Sequence, residues 1–94
     1  MIDSQSKVRR NPQVTVRDLA EGEGGVLLHL ETGAYHGVNP VGLLIWELLE
    51  EEKTVAELLQ AIADRVEDPP PALESDVMDF LNDVTERDLL IVVE

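Results

Sequence analysis

The chain contains no cysteine. That excludes a disulfide framework, a thiolate nucleophile and cysteine-based zinc or iron–sulfur sites. Aromatic residues are nearly as scarce: Tyr35, Trp46 and Phe80 make up the whole set, so any core must be aliphatic. No apolar run approaches the roughly 20 residues that span a bilayer. The polar start, Met1 to Lys7, lacks the apolar stretch of a secretion signal. A soluble, cytoplasmic protein with no membrane partner is expected. Positive charge is also in short supply. Seven Lys and Arg face twenty Asp and Glu, for a net charge of −13. Such a surface repels phosphate backbones and anionic lipid, so nucleic acid is not an expected partner and a basic protein or peptide is. The few cations are unevenly placed, with Lys7, Arg9, Arg10 and Arg17 in the first seventeen positions.

What is present is one small domain of 94 residues, 44% hydrophobic. Residues 1–11 show no periodicity and read as a flexible N-terminus; residues 12–94 read as the domain. Pro12 to Arg17 alternates, with Val14 and Val16 on one side, as a strand does. Gly25 to Asn39 reads as a β-hairpin turning at Glu31-Thr32-Gly33. If Leu30 lies opposite Ala34, then Val26, Leu28, Leu30, Ala34, His36 and Val38 share the face that helices would cover. Leu27, His29, Tyr35 and Gly37 then share the other face, which puts the two histidines on opposite sides.

Three helices are expected after the hairpin. Asn39-Pro40 is an N-cap followed by proline at the first helical position, and Val41, Leu44, Ile45 and Leu48 recur at helical spacing. That helix runs into Glu50-Glu51-Glu52, which opposes its dipole. Thr54-Val55-Ala56-Glu57 fits a capping box for a second helix, and Glu67-Asp68-Pro69-Pro70-Pro71 should stop it. A third helix is expected from near Ser75, with Val77, Phe80, Leu81 and Val84 inward and Asp76, Asp79, Asp83 and Glu86 outward. Leu89 to Val93 closes the chain as a short apolar strand or tail. The order predicts an α+β fold, winged-helix-like, in which an N-terminal three-stranded antiparallel sheet precedes a three-helix cluster.

Catalytic chemistry needs a converging set of acid, base and nucleophile, and the sequence offers none. The glycine-rich stretch Glu21 to Gly25 carries acids that would repel phosphate. The helix that would enter a DNA groove, residues 75–88, bears five acids against Arg87 alone. No enzyme activity, cofactor or metal is expected. Two binding functions fit this composition: a peptide adaptor, and an acidic module that pairs with a basic protein, as an antitoxin or nucleic-acid mimic does.

The stretch Leu28-His29-Leu30-Glu31-Thr32-Gly33-Ala34-Tyr35-His36-Gly37-Val38-Asn39, followed by Val41-Gly42 and Ile45-Trp46-Glu47-Leu48-Leu49, resembles the PqqD-like family. Thr54 to Leu58, Asp76-Val77, Phe80 to Asp83 and Glu86 to Leu90 resemble that family's later helices and exit. The resemblance covers roughly residues 12–93. It implies a recognition element for ribosomally made, modified peptides, which binds the leader of a precursor as an added β-strand between the third strand and the third helix. The wording of the hairpin resembles the free-standing proteins of lasso peptide pathways, whose partners are a leader peptidase and a cyclase and whose leaders carry a Tyr-x-x-Pro element. Carried onto this chain, the strand Ala34, Tyr35, His36, Gly37 and Val38 would take the leader. Helix three would supply apolar floor from Val77, Phe80 and Val84 and an acidic rim from Asp76, Asp79 and Asp83 that suits a basic leader.

Overall fold

The computed structural model describes residues 2–19, 22–66 and 71–93. Its strands are β1 (Lys7–Arg10), β2 (Val14–Asp18), β3 (Gly25–His29), β4 (Tyr35–Val38), β5 (Lys53–Thr54) and β6 (Leu90–Val93). Its helices are α1 (Pro40–Leu48), α2 (Val55–Arg65) and α3 (Leu73–Glu86). The strands form two antiparallel three-stranded sheets, ordered β5-β1-β6 and β2-β3-β4. The fold is α+β, as the sequence predicts, with the expected β2-β3-β4 sheet and a second sheet beside it.

The second sheet is where sequence pattern fails. Residues 7–10, expected within a flexible N-terminus, pair with Leu90–Val93 on one side and with Lys53 and Thr54 on the other. Only Val8 in that strand is fully buried. A single apolar residue among three cations gives no alternation to read, and both partners lie far along the chain. Ile2 is also buried, at 6% exposure. The tail after α3 joins the sheet as β6.

The helices follow local chemistry. Asn39 caps α1, its side chain accepting from Gly42 N–H at 2.8 Å. Thr54 and Glu57 form the expected capping box, the Thr54 N–H donating to Glu57 Oε1 at 2.9 Å. That backbone bond holds the Glu57 carboxyl below its ordinary pKa. The acidic run at the end of α1 is offset from outside the helix: Arg10 of β1 donates through Nε to the Trp46 carbonyl at 2.8 Å and stacks 5.0 Å from the Trp46 ring centroid. α2 ends at Arg65; residues 67–70, expected to stop it, lie outside the described residues, as do residues 20 and 21 of the Gly/Glu loop. α3 starts two residues before Ser75, at Leu73, and ends in a Schellman turn. There Asp88 takes φ +63°, its N–H bonds Thr85 O, and Leu89 N–H bonds Val84 O. Ile45, Leu58, Ile62, Val77, Leu81 and Val84 join the sheets in one aliphatic core.

The hairpin's register differs from the expected one by a residue. His29, not Leu30, lies opposite Ala34, and its N–H donates to the Ala34 carbonyl at 3.0 Å. Leu30 to Gly33 form the loop, with Gly33 at φ +75°. A one-residue slip exchanges the faces of a strand. On β3 it is therefore Leu27 (1% exposed) and His29 (3%) that face the core, while Val26 and Leu28 are half-buried on the outer face. The faces of β4 are as expected, with Val38 inward and Tyr35 outward at 75% exposure. His29 and His36 thus share the inner face, contrary to the expectation that they diverge.

Candidate functional site

β4 is the terminal strand of its sheet. In an antiparallel pair, opposed residues alternate between exchanging both backbone bonds and exchanging neither. The His29–Ala34 bond fixes the phase, so Leu27–His36 and Gly25–Val38 are the bonded pairs below it. The Leu30 N–H to Gln13 O bond on the opposite side of β3 agrees with this phase. Tyr35 and Gly37 therefore turn their N–H and C=O groups to the open edge. Two residues at alternating positions, each presenting a donor and an acceptor, are what an added strand requires.

α3 lies on the inner side of this edge, and the contact runs from His36 to Asp83. His36 Nε2 lies 3.4 Å from Asp83 Oδ2, and Arg87 Nε lies 3.1 Å from Asp83 Oδ1. Asp83 is thus engaged within the protein. Asp76 and Asp79 are exposed and line a cleft of about 350 Å³ between α1 and α3. Phe80, Val41, Ile45 and Leu73 supply its apolar walls. Gly42 is what lets α1 and α3 close at this point. A Cβ there would stand 2.9 Å from Phe80 Cε1 and 3.0 Å from Val38 Cβ. Val38, Gly42 and Phe80 therefore meet, so the cleft opens where β4 ends.

Of the residues singled out in the sequence, the structure sets His36 of β4 against Asp83 of α3 and places Val38 and Phe80 about Gly42, while Asp76 and Asp79 line the α1–α3 cleft and Tyr35 and Gly37 stand on the open edge. Ala34 lies just before the strand and is exposed. Val77 and Val84 do not line the groove. They are core residues at 1% and 0% exposure, because α3 turns its i, i+4, i+7 stripe fully inward. The floor assigned to them comes instead from Phe80 and from Val41 and Ile45 of α1. That contribution was missed because the α1 stripe reads as ordinary core; only Gly42, placed inside a helix, signals a close approach. A hollow of about 650 Å³ lies elsewhere, between the N-terminal turn, the end of α3 and β6, with polar walls that include Asp3, Asn82 and Glu86. Among the described residues no group of acidic and histidine side chains could hold a metal ion. Nor is any helix long and apolar enough to cross a membrane.

Fold and site together define an open-edged α+β domain with a strand edge set beside a helix. Residues 24–90 match the family described as Coenzyme PQQ synthesis protein D (PqqD), and the chain belongs to this family. A solved structure described as TbiB1 in complex with the TbiA(beta) leader peptide is similar over 87% of this chain and 93% of its own, at 36% identity and a TM-score of 0.71. Among curated proteins nothing matches the chain.

Proposed function

We propose that this protein captures the leader segment of a ribosomally made precursor peptide, of the lasso type, and presents it to the enzymes that mature it. The leader adds as a strand along β4, in the groove between β4 and α3. Its side chains at the far end reach the cleft beneath Phe80, and Asp76 and Asp79 draw in basic residues. A leader peptidase and then a cyclase act on the presented precursor, and this chain performs no covalent step itself. The open edge of β4, with the backbone groups of Tyr35 and Gly37 unused by the sheet, is the observation that carries the reading. The leader peptide bound to TbiB1 supports it.

Fluorescence anisotropy with a labelled synthetic leader tests it, using the leader of the precursor encoded beside this chain. Saturable binding is expected. It should weaken in a control lacking the Tyr-x-x-Pro residues, and weaken as salt screens the acidic rim. A cooperatively folded protein that binds no leader would turn the assignment to an acidic module that pairs with a basic protein.

A further inference from the structure

We propose that His36 is a positioning residue for the leader-binding edge, tying β4 to α3 through Asp83, so that leader affinity rises as pH falls toward mildly acid values. The inference rests on the reading of β4 as the leader-binding strand.

The geometry carries it. His36 leaves β4 on the inner face and is half-buried, with its Nε2 3.4 Å from Asp83 Oδ2. Arg87 holds the other carboxylate oxygen at 3.1 Å, so the acid is oriented toward the imidazole. Side chains stand perpendicular to a sheet, while an added strand lies in its plane. The His36–Asp83 contact therefore runs beneath the leader's path and leaves the edge free. At 3.4 Å a neutral imidazole makes only a long hydrogen bond to the carboxylate. A proton on the ring turns that bond into a charge pair and draws the edge strand onto the helix. An edge already held in place loses less freedom when a peptide adds to it.

The charges around His36 favour one sign of response. From α3 it meets Asp83, with Arg87 behind that acid and Asp79 one turn earlier. Across the sheet its partner is Leu27, and β2 presents Val14 and Val16 to the same face. The first two turns of α1 carry no charged residue. His29, two positions along the face, is engaged by Asn11, Thr32 and Asp88. The nearest group to a charged His36 is thus an anion. Histidine is the side chain that changes charge near neutrality.

The test is leader affinity by anisotropy at both ends of that window, about pH 5.5 and about pH 8. Wild-type protein should bind about threefold or more tighter at the acid end, the scale of a partly exposed ion pair. His36→Gln should bind more weakly there and show no pH slope, with a melting temperature close to wild type at both pH values. Asp83→Asn carries the same test on the helix side, should the histidine variant melt early. Wild-type binding of equal strength at both pH values would overturn the proposal, as would a slope that persists in both variants. Absence of wild-type binding at either pH would overturn the adaptor reading itself, and this inference with it.

Discussion

Phe80 illustrates how much hangs on a single side chain here. It is half-buried, packs against Gly42 and forms one wall of the cleft at the end of β4. Phe80→Ala is expected to weaken leader binding by about 1–2 kcal/mol. Its stability loss should fall below the roughly 3–5 kcal/mol of a fully buried ring. A thermal melt run beside the binding curve separates the two effects. A full core-sized loss with unchanged affinity would make Phe80 structural only. The sequence singles out Phe80 as one of three aromatics, and the structure places it on the wall of the cleft. His29 is the contrary case. The ring is buried; its Nδ1 accepts from Thr32 N–H at 3.4 Å, and its Nε2 lies 3.4 Å from Asp88 Oδ2. Asn11, also buried, donates to the Asp88 carbonyl at 2.7 Å. This polar cluster joins the hairpin to the turn after α3. No pattern announces it, because its members are 18 and 59 residues apart from His29 in sequence.

Elements are the scale at which the strand edge can be tested. Gly37 sits in β4 with open space where its Cβ would be, and its N–H points away from β3. Proline at an edge position whose N–H faces solvent removes no ladder bond. Gly37→Pro is therefore expected to leave the melting temperature nearly unchanged and to weaken leader binding at least about tenfold, the scale of one unmade backbone bond plus a steric block. Unaltered affinity in a folded Gly37→Pro protein would place the leader elsewhere. Helices were the most legible elements. The Asn39-Pro40 start and the Thr54–Glu57 box are local signals, and local chemistry decides them. The hairpin was legible as a hairpin but not in register. Leu30 and His29 are equally good partners for Ala34 by pattern, and only the four-residue loop ending at Gly33 chooses between them. β1 was not legible at all, since its pairing is non-local and its residues are mostly charged.

Across the whole molecule, charge and topology divide the labour. The cations Lys7, Arg9 and Arg10 lie on β1 and Arg17 on β2, while α3 lines the cleft with Asp76 and Asp79 and spends Asp83 on His36 and Arg87. The net charge of −13 favours a basic peptide as partner, and Asp76 and Asp79 are the exposed acids at the cleft. The α+β order followed from the order of the elements, and the expectation of a groove beside the third helix came from the family resemblance. Which α3 residues face it did not, because Val77 and Val84 share a helical stripe with Phe80 and only packing sorts floor from core.

The proposed function requires that a peptide backbone pair with the outer edge of β4. Amide hydrogen exchange followed by NMR, with and without leader, tests it most directly. His36 and Val38 already bond to β3 and should be protected in both states. Tyr35 and Gly37 should exchange readily in the free protein and become protected when the leader is bound. Saturating leader with no added protection at Tyr35 and Gly37 would contradict strand addition at this edge.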